Sequence, residues 1–209
     1  MKISAGETTL LATATEAVGL VFRERMAGGF ALGETDPRKG ERKGLESNSR
    51  FDLQVTAAIP DLRHFLADPQ HTGALTGVAR FGPLGDLEVL SGVIRLFHRT
   101  EDPNLKMMEY RFAFRQGMRA YYVAGQKEIR RRRLLHSWSE TTTLLCRLYE
   151  GSDAHAPAVG AGVLHLTLWE FLKQLSTFQV TNAPSITART SALLGFVRFF
   201  AAELLDSYL

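Results

Sequence analysis

The stretch KMMEYRFAFRQGMRAYYVAGQKEI, Lys106 to Ile129, decides the fold. Its apolar residues recur at every second position, so that Met108, Tyr110, Phe112 and Phe114 share one face. Successive side chains of a strand point to opposite sides of a sheet, and a period of two therefore reads as a strand with one covered face. Gln116-Gly117 turns the chain, and Arg119 to Ile129 runs back as an antiparallel neighbour.

The same period continues on either side. Val18, Leu20, Phe22 and Met26 share a face, and Gly28-Gly29 predicts a hairpin before Phe30 to Gly33. Residues 35–48, charged and glycine-containing, read as a loop. Phe51, Leu53, Val55, Ala57 and Ile59 alternate next. Pro60-Asp61 opens a short helix, Leu62 to Ala67, closed by Asp68-Pro69. Thr72 to Phe81 and Asp86 to His98 read as strands joined at Gly82-Pro83-Leu84-Gly85. In the second of these, Val89, Val93 and Phe97 lie opposite Leu90, Ile94 and Leu96, which predicts burial of both faces. Glu140 to Tyr149 is the last of eight strands between residues 17 and 150.

From Val163 the period lengthens to about 3.6, the spacing of an amphipathic helix. Leu164, Leu168, Phe171, Leu172, Leu175 and Phe178 line one side, and Asn182-Ala183-Pro184-Ser185 starts a second helix. Strands first and helices last predict an α+β, mainly β protein. Closing the sheet removes its exposed edges, so the expected form is an eight-stranded antiparallel barrel of the calycin or lipocalin kind with two C-terminal helices. A two-sheet β-sandwich of the same strands is the alternative. The expected organisation is a flexible segment 1–16, a barrel over 17–150, a linker over 151–162 and a helical segment over 163–209 packed on the barrel.

Composition narrows the function classes. The chain has 209 residues, 45% hydrophobic and 22% charged, which is an ordinary single-domain composition. Its net charge of +3 is too small to point to nucleic acid. Cys146 is the single cysteine, so no internal disulfide forms, and its alternation with Leu144 and Leu148 reads as a small buried hydrophobe. The N-terminal residues carry no signal-peptide pattern, and a cytoplasmic protein is the expectation. The six histidines lack metal-ligand spacing and read as surface or edge residues, and no nucleophile elbow, phosphate-binding loop or dinucleotide fingerprint is present. No metal, cofactor or catalytic residue is assigned.

Glu24 is the sharpest anomaly, a carboxylate on the apolar face of Phe22 and Met26. Inside a barrel it must be paired, hydrogen-bonded or protonated. It would hold the polar end of an apolar ligand, or bond an arginine such as Arg95 or Arg111, or lie at a strand end near water. With Met108, Tyr110, Phe112 and Phe114 it makes the candidate ligand-binding set. A candidate interaction surface has two parts. Lys127, Arg130, Arg131, Arg132 and Arg133 form a basic run suited to anionic headgroups or an acidic partner, or to a solvated connection. In the last helix, Leu193, Val197, Phe200 and Leu204 form a docking stripe, while Phe196 and Phe199 lie to its side and cover a barrel mouth or a partner.

The chain resembles a module found beside, or fused to, GMC-type flavin oxidoreductases of the cholesterol-oxidase-like kind. The resemblance rests on FRERMAG (Phe22 to Gly28), GETD (Gly33 to Asp36), FLADPQHTGALTGVARFGPLGDLEVLSGVIRLF (Phe65 to Phe97) and TEDPNLKMMEYRFAF (Thr100 to Phe114). WSETTTLLCRLYEG (Trp138 to Gly151) and VLHLTLWEFLKQLSTFQVTNA (Val163 to Ala183) complete it. It implies a setting in sterol or lipid metabolism. The oxidase activity does not carry over, because the flavoprotein's dinucleotide fingerprint is missing.

Three readings follow. The first is a non-catalytic lipid- or sterol-binding barrel. The second is a module that docks an oxidoreductase, a membrane surface or a twin chain through the C-terminal helix and basic loop. The third is an enzyme on a hydrophobic substrate with Glu24 as acid or base.

Overall fold

The computed structural model describes residues 16–130, 142–167, 170, 173, 174 and 176–206. Residues 1–15, where the flexible segment was expected, and Arg131, Arg132 and Arg133 lie outside the described residues.

The elements in chain order are β1 (Gly19–Leu32), α1 (Pro37–Glu46), β2 (Arg50–Ile59), α2 (Leu62–Ala67), β3 (Thr72–Phe81) and β4 (Gly85–Arg99). They continue with β5 (Leu105–Gln116), β6 (Arg119–Arg130), β7 (Thr143–Glu150), β8 (Ala158–His165), β9 (Gln179–Thr181) and a C-terminal helix, α3 (Ile186–Asp206). Strands β2 to β8 pair in sequence, β8 pairs with β1, and β1 pairs back onto β2, all antiparallel. The sheet therefore closes into an eight-stranded barrel, with β9 added beside the start of β1. Closure along Leu20↔Ile59 to Gly29↔Arg50 excludes the sandwich.

Several expectations need correction, and glycine explains the first two. Gly28-Gly29 makes no hairpin; β1 runs straight through it. A Cβ on Gly28 would lie 1.9 Å from the Val163 carbonyl oxygen, and one on Gly29 would lie 2.3 Å from that of Glu41. These glycines admit neighbouring backbone; they do not reverse the chain. The missing eighth strand is β8, inside the expected linker 151–162 and running past the expected helix start at Val163. Its small residues read as a connection. They are required because Gly40 of α1 packs against Ala161 from outside, while the Phe30 ring presses Gly162 from the other face.

The charged stretch 35–48 is likewise not all loop. Asp36 caps α1, its carboxylate accepting from the Lys39 N–H at 2.8 Å, and Pro37 occupies the first turn. Gly40 and Gly44, one turn apart, let the helix backbone lie directly on β8 and β1.

A further correction concerns β4. Between Leu75↔Gly92 and Gly77↔Val89, β4 uses three residues where β3 uses two, and it does so again against β5 between Arg95 and His98. Each bulge shifts the alternation by one residue. The two apolar faces read from sequence are thus largely one inward face changing phase, and Val93 is exposed. Phe97, at φ +50°, is the residue the second bulge turns toward α3.

Of the helix expected from Val163, Val163–His165 is strand, while Glu170, Lys173, Gln174 and Ser176 are helical. Helix α3 lies with α2 at the barrel end where β1 begins and β6 finishes, which we call the mouth.

Candidate functional site

The interior is lined by rings. At the end away from α3, Phe30, Phe51 and Phe81 meet with centroids 5.1–5.6 Å apart. Phe114 stacks on Tyr121 at 5.6 Å. At the mouth, Phe196 reaches Phe22, Phe65 and Phe178.

Between these groups sits one polar cluster. Alternation along β1 turns Glu24 inward with Phe22 and Met26, and alternation along β5 turns Tyr110 inward with Met108, Phe112 and Phe114. Lys127 enters from β6, in phase with Tyr121, Val123 and Ile129. The Lys127 ammonium donates to Glu24 Oε1 at 2.8 Å, and the Tyr110 hydroxyl donates to Glu24 Oε2 at 2.7 Å. The Lys127 Nζ also stands 4.9 Å from the centre of the Tyr110 ring, so the cation is met by a carboxylate and an aromatic face. The side chains of Lys127 and Glu24 are only 2% and 3% exposed.

Burial, and then the Glu24 charge, push the Tyr110 hydroxyl well above its ordinary range. It therefore stays protonated and remains a donor. Cys146 lies directly across Gly125 from Tyr110 in the strand register. Burial pushes its thiol up to about 12, with nearby Lys127 opposing the shift. A neutral buried thiol is not a nucleophile. Both Glu24 oxygens are occupied by donors.

Glu24, Met108, Tyr110, Phe112 and Phe114 are all buried in the barrel, and Glu24 and Tyr110 touch. The cation is neither Arg95 nor Arg111. Those two bond Glu109 at 3.3 and 2.8 Å on the other face of β4 and β5. Lys127, grouped by sequence with the basic loop, is the residue missed; its odd-numbered phase with Tyr121 and Val123 was the available signal. Of the basic run, Arg130 pairs with Glu128 at 3.2 Å. His98 is also no surface residue; it is buried with Nε2 3.5 Å from Glu109.

At the mouth, Phe196 and Phe199 both turn inward. Phe196 is 1% exposed, and Phe199 packs on Phe65, His71 and Phe97. Burial holds the His71 imidazole below its ordinary range, and its Nδ1 lies 3.0 Å from the Leu96 carbonyl oxygen. The expected stripe is rotated: Leu193, Phe200 and Leu204 pack inward, but Val197 is exposed. The C-terminal turn is tied down by Lys106, whose ammonium donates to the Glu203 carboxylate at 2.7 Å, its carbonyl at 3.1 Å and Asp206 at 2.8 Å. Ile186, Leu194, Val197 and Leu205 are exposed.

Among the described residues no helix is long and apolar enough to cross a membrane. Compared with known protein families, curated proteins and solved structures, the chain matches none.

Proposed function

We propose that the chain is a non-catalytic barrel that binds an apolar small molecule with one polar end, of the lipid or sterol class. We further propose that it works beside a GMC-type flavin oxidoreductase, the setting its sequence resemblance implies. The observation that carries the reading is the Glu24–Lys127–Tyr110 cluster in a ring-lined interior beneath a helix. A buried ion pair adds little stability over apolar side chains of equal volume. A barrel that only had to fold would be served as well by apolar residues at these positions. A carboxylate, an ammonium and a phenol converging at one depth match a ligand's hydroxyl or carboxyl group. Access is by displacement of α3, whose Phe196 and Phe199 stand at the mouth. A reduced, buried Cys146 fits a cytoplasmic setting.

Native mass spectrometry of the full chain, purified gently from cells, tests the reading. A copurifying lipid adduct is expected, and Lys127→Met should lose it. Ligand-free protein that also takes up no added sterol, fatty alcohol or fatty acid would refute it.

The exposed Ile186, Leu194, Val197 and Leu205 favour a second reading, docking of α3 on a partner. Sedimentation of the wild type against Leu194→Ser with Val197→Ser separates the two. Self-association lost in the variant supports docking; identical monomers leave the barrel interior as the functional region.

A further inference from the structure

A concavity lies outside the barrel, between β1, β2, β3 and the helical residues around Gln174. It is a groove of about 370 Å³ whose charged lining residues are Arg23, Arg25, Arg80, Lys173, Glu24 and Glu170. Glu24 is committed to Lys127 inside the barrel, and three of the four cations have partners of their own. Arg25 is held by Asp52 at 2.6 Å, Arg80 by Asp86 at 3.4 Å and Lys173 by Glu170 at 3.5 Å. Among the described residues, no carboxylate meets the Arg23 guanidinium.

A further observation points to a ligand here. Gln174 lines the groove, and its Oε1 is buried without a hydrogen-bond partner. An unsatisfied buried acceptor costs free energy unless a donor reaches it. The groove floor includes Gly77 of β3, the residue paired beside the first β4 bulge, at φ +147°. A Cβ there would lie 2.1 Å from the Gln54 carbonyl oxygen, so only glycine fits. The glycine thus admits the β2 backbone and leaves this part of the floor without a side chain. The adjoining segment is fixed across the groove, since the Arg23 N–H donates to Thr177 Oγ1 at 2.9 Å.

We propose that this groove binds a phosphate ester carrying a neighbouring hydroxyl, as in a glycerol phosphate. The free guanidinium of Arg23 takes phosphate oxygens in a bidentate pair. The Gln174 side chain turns toward the groove, and a ligand hydroxyl donates to its Oε1. A bare anion satisfies the first group but not the second, which is why a hydroxylated ester is favoured over inorganic phosphate. The same chemistry is offered by a free metabolite and by a phosphatidylglycerol headgroup.

Titration calorimetry of the full chain with glycerol 3-phosphate and with inorganic phosphate, alongside cosedimentation with phosphatidylglycerol vesicles, tests the site. Glycerol 3-phosphate should bind more tightly than inorganic phosphate. Arg23→Gln should weaken it about tenfold or more, the usual loss for a charge-assisted hydrogen bond. Gln174→Met should weaken glycerol 3-phosphate while leaving inorganic phosphate unchanged. Vesicle binding that depends on Arg23 and Gln174, without affinity for the free ester, assigns the site to the headgroup; the reverse assigns it to a metabolite. Arg23 is exposed, so matched melting curves will show that its variant is folded. No binding in either arm, or binding indifferent to both substitutions, would overturn the proposal.

Discussion

Two lysines of this barrel make the same bond at different depths. Lys127 meets Glu24 in the interior, where both side chains are almost wholly shielded. Lys106 meets Glu203 and Asp206 at the mouth, where it is 10% exposed but Asp206 is 62% exposed. Depth decides what each pair does. The inner pair has no water to turn to, so each partner depends on the other and on Tyr110. The outer pair shares its charge with solvent, and its contribution is positional: it fastens the last turn of α3 to the start of β5. One of its acceptors is the Glu203 backbone carbonyl, where a cation also meets the negative end of the helix dipole.

The inner pair should give the largest effect. Glu24→Ala leaves the Lys127 ammonium buried and unpaired, a loss of about 3–5 kcal/mol. Thermal melting should show a clear fall. Replacing both charges, Glu24→Met with Lys127→Met, should recover most of that loss, because two apolar side chains need no partner. A double variant no more stable than Glu24→Ala would mean that packing of the stems, not charge, dominates the middle of the barrel.

Next come the rings beneath α3. Phe196→Ala empties a fully buried position and should cost about 3–5 kcal/mol. Phe199→Ala, at a half-buried position, should cost less. If denaturant melts rank the two the other way, α3 rests on its outer ring and Phe196 is the adjustable contact.

The interior should also be the more sensitive to alkali. The Cys146 thiol is raised from 9.0 to about 12 by burial, so the folded state binds the proton more tightly than the unfolded chain. Its contribution is complete below pH 9 and is lost as pH rises toward 12. The buried Tyr110 adds a loss of the same sign from about pH 10 upward. Cys146→Ala should flatten the decline between pH 9 and 10.5 by about 2 kcal/mol, at roughly 1.4 kcal/mol per pH unit. An unchanged slope would place the thiol in contact with water.

These contrasts also explain how far the sequence could be read. Period two in β2, β5 and β6 reports one covered face, and Glu24 stood out because a single carboxylate broke that period. Lys127 obeyed the same phase, but three following arginines disguised it as part of a surface run. β8 was hidden because its small residues serve close backbone approach by α1, a demand made by a neighbour distant in sequence. Bulges in β4 shifted its phase, which a one-dimensional pattern shows only as two apolar faces. On α3 the choice between Val197 and Phe196 depended on helix rotation, set by which ring fits above Phe22 and Phe65.

The smallest effect is expected at Lys106, and it is the one that separates position from stability. Asp206 is mostly in water, where an ion pair contributes about 0–1 kcal/mol, and the 22%-exposed Glu203 carboxylate can turn to water once the lysine is gone. Lys106→Met should therefore leave the melting temperature nearly unchanged. The substitution removes the tie to the Glu203 carboxylate, the Glu203 carbonyl and Asp206 together, so the end of α3 should fray even while the barrel holds. Hydrogen exchange resolves this: amides of residues 203–206 should exchange faster, while those of β5 and β6 keep their protection. If the lumen takes its ligand by displacement of α3, the same variant should also take up an added sterol or fatty alcohol faster than the wild type. Faster exchange without faster uptake would mean that the helix end is a local hinge unconnected to entry. Unchanged exchange would mean that Phe199 and Phe200 hold α3 without help from the lysine.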